Sequence, residues 1–406
     1  MTNFAQSAQA HLETLENPDA RREAWRAFSE LGLPTTVDEV WRYAPLGELD
    51  LDHFAVVSRG AAPEMSPFAQ ELAAHAGMVV RVVDAEVVEV TGDLEGVSVE
   101  RVASTWSPQY ATDAFAQMNC ALSPYAITLR VAETAHVTSP IVIVNTTASD
   151  TSFAQVHVTM GRSSQASVVE YLEGGVNALV VPLTRYDLAD NASLRVSTYQ
   201  RLDASAWHVA RSTGSLGRDA RLRQAVISIG AHYNRSRNDA EFLGTGAENE
   251  LRTTFLGSGD QVHDFRTRQY HRVGRTRSTL LSKGAVADES RSVYTGLIEI
   301  EKGAKRTDAR QTNLNLLLSP HAHADSVPNL DIRENDVMCA HASSVGPLDE
   351  LQRWYLESRG VTRADAERLM IQGFFYEMLA TLPPELADVV ERDLAETLRG
   401  VEIVTP

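Results

Sequence analysis

Two short stretches hold the residue types best suited to metal chemistry: His321-Ala322-His323 and, just downstream, Asp336-Val337-Met338-Cys339-Ala340-His341. Cysteine and histidine are natural ligands for iron, zinc or copper. If residues 337–341 are extended, Cys339 and His341 point to the same face and can offer a thiolate and an imidazole together. The alternative reading is structural. A lone cysteine in a strand packs as a small hydrophobe, and a histidine two residues on is a surface or hydrogen-bonded group. His321 and His323 sit in a Pro/Ala/His turn that reads as solvated. The other cysteine, Cys120, lies in Met118-Asn119-Cys120-Ala121 with no histidine nearby in sequence, which reads as packing. Two cysteines exclude a disulfide framework and an all-cysteine metal site within one chain. A thiophilic metal would need other ligands, or a site shared with a partner.

Other chemistry is sparse. The chain has no G-x-x-x-x-G-K-[ST] phosphate loop, no G-x-S-x-G elbow, no H-E-x-x-H and no C-x-x-C. Its 406 residues carry a formal charge of −17, which disfavours nucleic acid and anionic membranes as partners. One basic stretch stands out, with Arg266, Arg268, Arg272, Arg275, Arg277 and Lys283 and no acid among them. It reads either as the charged face of strands or as a patch for an acidic partner. No apolar run is long enough to span a bilayer, and the first residues lack the basic start and apolar block of a signal peptide. The expected location is cytoplasmic.

The elements that would position these residues fall into three regions, 1–77, 78–340 and 341–406. The first reads as a helical cap. Ala24, Trp25, Phe28 and Leu31 form a helical stripe stopped by Gly32 and Pro34, and a second short helix is expected over Thr36–Tyr43 with Val40 and Trp41 buried. The middle region is rich in Val, Ile and Thr. Val79–Val83, Ile141–Val144, Val156–Met160 and Leu194–Thr198 read as strands, and no long helix is evident from about 140 to 340. A turn residue followed by alanine recurs at Gln165-Ala166, Asn191-Ala192, Asp219-Ala220, Gly246-Ala247, Gly284-Ala285, Gly303-Ala304 and His321-Ala322. The alanine spacings are 26, 28, 27, 38, 19 and 18. Such a period suits a stacked β-solenoid, although turns of this kind are common in any β protein. A solenoid leaves open strand edges at both ends, and the terminal helices would cap them. In the last region, helices are expected over Leu348–Ser358, from Thr362 (capped by Thr362-x-x-Asp365) and after Pro383 and Pro384. The second carries Leu369, Met370, Ile371, Phe374, Phe375, Met378 and Leu379 on more than one face, so it is expected either to be central to a domain or to be partly reserved for a partner. The third carries Leu386, Val389, Val390, Leu394 and Leu398 as a one-sided stripe.

Longer runs carry a resemblance. They are Gln311-Thr-Asn-Leu-Asn-Leu-Leu-Leu-Ser319, Pro328-Asn-Leu-Asp-Ile332, Asp336-Val-Met-Cys-Ala-His341, Val345-Gly-Pro-Leu-Asp349 and Tyr355-Leu-Glu-Ser-Arg-Gly360. Leu33-Pro34-Thr35, Glu39-Val-Trp-Arg-Tyr43, Asn119-Cys-Ala121, Tyr294-Thr-Gly-Leu297 and Lys302-Gly-Ala304 extend the match over nearly the whole chain. Together they resemble the SufD branch of the SufB/SufD family, the scaffolds of Suf iron–sulfur cluster assembly. The SufB branch carries a cysteine in the block corresponding to Gln311–Asn313, and this chain has none there. It has instead the Cys-x-His pair of the SufD branch, although Ala342 replaces the usual glycine beside it and Leu314 a usual basic residue.

The resemblance implies a right-handed parallel β-helix between helical end domains, and a non-catalytic scaffold subunit. It implies pairing with a SufB-type protein through the β-helix and docking of a SufC-type ABC ATPase on the C-terminal helices, where Met370, Phe374 and Phe375 are the expected contacts. An iron–sulfur cluster would form transiently at the interface, with His341 and Cys339 as the ligands from this side, and the chain alone could pair with itself as a homodimer. The rival readings are a stand-alone metal-binding protein using His321, His323, Cys339 and His341, and a β-helix enzyme. The latter would need carboxylates recurring along one face, and the repeats have no recurring acidic position.

Overall fold

The computed structural model of the chain describes residues 3–57, 62–103, 113–379, 382, 384–401 and 403. The protein is mainly β: a β-solenoid with helices at both termini. The expected strands form as Met78–Val83, Ile141–Thr147, Gln155–Met160 and Ser193–Leu202. From Ile141 to Gly346 successive coils add strands to two sheets, with like strands of neighbouring coils parallel. Alternate side chains point into the space between the sheets, so equivalent residues stack in columns about 4.8 Å apart. One column runs Leu194, Leu222, Asn249, Ser278, Ala309, Cys339, and the next Val196, Gln224, Leu251, Leu280, Gln311, His341.

The corners explain the alanine repeat. Asn191, Asp219, Gly246 and Gly303 adopt left-handed backbone at φ 61, 56, 79 and 93°. The alanines that follow, Ala192, Ala220, Ala247 and Ala304, are fully buried where the chain reverses. Gly284-Ala285 breaks the pattern, because it lies inside the strand Arg277–Val286. Gly284 stands there for room: a Cβ would sit 1.9 Å from the ring of Phe255.

The helices are α1 (Asn3–Leu12), α2 (Pro18–Leu31), α3 (Pro67–Ala74), α4 (Ala114–Leu122), α5 (Glu350–Ser358), α6 (Arg363–Leu379) and α7 (Pro384–Arg399). In α2, Ala24 and Phe28 are buried, but Leu31 at the helix end is exposed as the chain turns away. The short helix expected at Thr36–Tyr43 shrinks to a 3-10 turn, Glu39–Trp41, which turns Trp41 inward and leaves Val40 exposed. α4 is buried on every side and so shows no helical stripe in sequence. Pro383 lies outside the described residues, as does the side chain of Leu386. Val389, Val390, Leu394 and Leu398 are buried as expected.

The helices do not cap the solenoid ends as expected. They cover its flanks, because both sheets carry apolar residues outward as well as inward. α3, α6 and α7 pack on Tyr171, Tyr199, Ala225 and Ile227 of one sheet. α1, α2 and α4 pack near Leu183, Trp207, Val209 and Tyr233 of the other. The N-terminal end is finished instead by antiparallel edge strands, Glu86–Thr91 and Val97–Val102. At the other end, His323–Ile332 and Met338–Gly346 are the last strands of their sheets. The pairing of Met338–Gly346 with Asp308–Leu317 holds to Leu316↔Gly346, so strand gives way to helix between Gly346 and Glu350, beyond residue 341.

Candidate functional site at the open end of the solenoid

Cys339 and His341 lie on the last strand with their side chains toward the solenoid interior. The register fixes this. His341 pairs with Gln311, and Gln311 points inward, since Tyr294 Oη of the opposite sheet donates to its Oε1 at 3.1 Å. Below the terminal strand runs a row of buried amides, Gln311, Asn313 and Asn315. Asn313 Nδ2 donates to Ser326 Oγ at 2.9 Å. Both amide atoms of Asn315 lack a partner among the described residues. Cys339 is half-buried against Ile298, Ile300, Ala304 and Ala309, whereas His341 is exposed. Burial, and then the charge of Asp308, push the Cys339 thiol up from its ordinary pKa. Both favour the thiol over the thiolate.

With no further coil above it, the end also bares apolar side chains. Ile298 and Ile300 are 0 and 1 % exposed, while Leu330 and Ile332, the next residues in the same columns, are 37 and 40 % exposed. Val345 is exposed on the facing strand. Cys339 and His341 thus sit at the rim of an uncovered apolar surface beside two free strand edges.

The other expected ligands do not join them. His323 opens the strand that ends at Ile332, so it sits at the corner opposite Cys339. Its Nε2 faces Asp325 at 3.3 Å, and His321 is exposed at the same corner. No group of three or more His, Cys, Asp or Glu converges among the described residues. His321, His323, Cys339 and His341 therefore do not form a four-ligand site among the described residues. Cys120 is buried in α4, its thiol pushed up to about 12 by desolvation, as packing requires. The basic stretch is largely paired. Arg266 meets Asp264 at 3.0 Å, Arg268 meets Glu299, Arg272 meets Glu241, and Lys283 meets Glu377 at 2.9 Å.

The C-terminal helices offer a second surface. Thr362 Oγ1 accepts from Asp365 N at 3.2 Å, starting α6 as expected. Of the proposed contacts, Phe375 is fully buried in the chain's own core with Ile371, Met378 and Leu379. It holds α6 to the solenoid flank and has no surface for a partner. Met370 and Phe374 are partly buried against the same cluster, and Lys283 Nζ sits 5.0 Å from the Phe374 ring centroid. The outward face is instead Leu351, Trp354 and Tyr355 of α5 with Leu369 and Tyr376 of α6, all exposed. The i, i+3, i+4 spacing of Leu351, Trp354 and Tyr355 is the sequence signal for the α5 part of this surface.

A profile described as "SUF system FeS cluster assembly, SufBD core domain" matches residues 142–374. This chain belongs to the SufBD family. It is 33% identical over 231 residues to the iron–sulfur cluster assembly protein SufD of Bacillus subtilis, covering 56% of this chain and 50% of that protein. It is 27% identical over 393 residues to SufD of Escherichia coli, covering 92% of each. A SufBD family protein of Mycobacterium tuberculosis H37Rv is 33% identical over 231 residues, 53% of this chain and 58% of the relative. The matched SufBD core spans the solenoid from Ile141–Thr147 to the terminal strand and α6, and so contains both the open end and part of the helical surface. Iron–sulfur cluster assembly is therefore the process this protein serves. No helix among the described residues is long and apolar enough to cross a membrane.

Proposed function

We propose that this chain is a non-catalytic scaffold subunit whose open solenoid end is closed by a SufB-type partner, with the nascent cluster held at the junction. The observation that carries the reading is the uncovered terminal coil: two free strand edges, bare Leu330, Ile332 and Val345, and an inward-facing thiol and imidazole. Free edges accept a strand from another chain. Cys339 and His341 supply two donors of the kind iron takes, and the remaining ligands come from the partner. His341, exposed and at the rim, is the better placed. Cys339 sits behind it, against the apolar corner. The cluster is cargo, assembled at the junction and passed on. In the absence of a SufB-type chain, a second copy of this chain covers the same surface. A SufC-type ABC ATPase docks on Leu351, Trp354, Tyr355, Leu369 and Tyr376, and supplies the nucleotide chemistry for which this chain has no phosphate loop.

The test is anaerobic co-purification with the SufB-type and SufC-type proteins. Wild type is expected to recover both partners with iron and sulfide. His341→Ala is expected to keep both partners and lose the cluster. Trp354→Ala with Tyr376→Ala is expected to lose the ATPase alone. Recovery of neither partner by wild type overturns the scaffold reading. Full cluster content in His341→Ala overturns the ligand role only.

A further inference from the structure

Away from the open end, between the two sheets, lies an internal cavity of about 30 Å³. Its walls include Glu170, Gln200 and Ser228 from one sheet and His208 from the other. These four are 4, 1, 1 and 3 % exposed. Glu170 Oε1, Gln200 Nε2, Ser228 Oγ and His208 Nε2 are each buried with no hydrogen-bond partner among the described residues. A buried polar atom left unpaired forfeits the hydrogen bond it would make to water. Four such atoms around one cavity therefore call for a ligand that they share.

The hydrogen bonds already made fix what that ligand is. Gln200 Oε1 accepts from the backbone N–H of Ile229 at 3.1 Å, so its unpartnered Nε2 is left as a donor. His208 Nδ1 lies 2.7 Å from Asn234 Oδ1 and donates to it, which leaves Nε2 as a bare acceptor. Asn234 is held in that orientation by its Nδ2, which donates to His263 Nδ1 at 3.3 Å. Ser228 can turn its hydroxyl either way. A cation in the cavity would face the Gln200 N–H group. An anion would face the Glu170 carboxyl and the His208 lone pair. A ligand that donates and accepts at once satisfies all four, and about 10–15 Å³ of such volume suffices for one water.

We infer that this cavity is a structural hydration site, in which one or two ordered waters accept from Gln200, donate to His208 and bridge to Glu170 and Ser228 across the sheets. The solenoid is thus cross-linked through solvent at mid-length. This does not depend on the scaffold role proposed above, and its test is separate.

The experiment is a high-resolution crystal structure of the full chain, with anomalous data from crystals soaked in rubidium and manganese salts. The expected result is one or two density peaks within hydrogen-bonding distance of at least two of the four atoms, without anomalous signal. The Glu170→Leu, Ser228→Ala double variant, in the same crystal form, is expected to lose at least one peak. An anomalous peak overturns the assignment in favour of a cation site. A cavity without density in wild type, its four groups paired with one another, overturns it altogether. If the double variant does not fold, the wild-type crystals still decide.

Discussion

The two ends of the solenoid are built from the same strand geometry and finished in opposite ways. At the N-terminal end the interior is apolar, with Val80, Val82, Ile141 and Ile143 all at most 1 % exposed. Antiparallel strands close it, and they carry Glu89, Glu100 and Arg101 at the edge. Charged edge strands are how proteins prevent further strand addition. At the C-terminal end the interior turns to amides, then to Cys339 and His341, and its last strands remain bare. The difference lies in what the end interiors present, since the terminal strand His323–Ile332 also carries charge and a proline in Asp325, Pro328 and Asp331. The helices, which could have covered the open end, lie along the flanks.

The largest effect expected from this contrast is on association. Leu330→Arg with Val345→Arg places two charges on the apolar rim. Burying unpaired charges at an interface costs several kcal/mol, so binding to the partner or to a second copy should weaken at least ~100-fold. Val90→Arg, on the closed edge strand Glu86–Thr91, should change it by less than about 2-fold. Sedimentation and binding titrations check both. Equal losses at the two ends would break the comparison.

A stability pair sharpens it. Ile298 and Leu330 occupy one column, in consecutive coils. Ile298→Ala should destabilise the free chain by about 2–5 kcal/mol, as buried large-to-small changes do. Leu330→Ala, already 37 % exposed, should cost under ~1 kcal/mol in the free chain and a larger amount once the partner covers it. Denaturant unfolding with and without partner measures both. A large cost for Leu330→Ala in the free chain would mean that the end is already closed.

Much of this was legible in sequence, for identifiable reasons. Period-2 patterning and the Asn191, Asp219, Gly246 and Gly303 corners announce a solenoid, because a left-handed turn followed by a small residue is a local requirement. Cys339 and His341 share a face because spacing in a strand dictates it. Which face covers what is not local. Phe375 and Tyr376 are neighbours in one helix, yet one is fully buried and the other exposed, and only the docking of α6 on the sheet separates them. The same holds for the terminal helices, whose apolar stripes do not say whether they meet an edge or a flank. The motif Glu39-Val-Trp-Arg-Tyr43 acquires a reason only in three dimensions. The Trp41 ring lies 3.7 Å from the guanidinium carbon of Arg235 and Tyr43 lies 5.3 Å from that of Arg291, which pins the N-terminal segment to the sheet.

The closed interior differs from the open end in one more testable way, since a carboxyl there is cut off from bulk solvent. Desolvation raises Glu170 to about 7 from 4.5. A carboxyl that binds its proton more tightly when folded stabilises the fold at low pH. That contribution is complete below the unfolded value of 4.5, falls as pH rises toward about 7, and is absent and flat above. The slope is about 1.4 kcal/mol per pH unit inside the window. Among the groups near it, Tyr186 is raised far out of range by burial and by Glu170, and stays protonated. His208 runs the other way. Burial lowers it from 6.5 to about 4, so stability rises with pH between those values and partly masks Glu170. His263, lowered to about 3 beyond Asn234, adds to that masking. The informative quantity is therefore the difference between wild type and Glu170→Gln, in which the histidine contributions cancel. Relative to wild type, Glu170→Gln should gain stability steadily from pH 4.5 to about 7 and gain nothing further above. A difference that is flat with pH would show that Glu170 is as well solvated as a surface carboxyl, and that the mid-solenoid interior is as open as the end that carries His341.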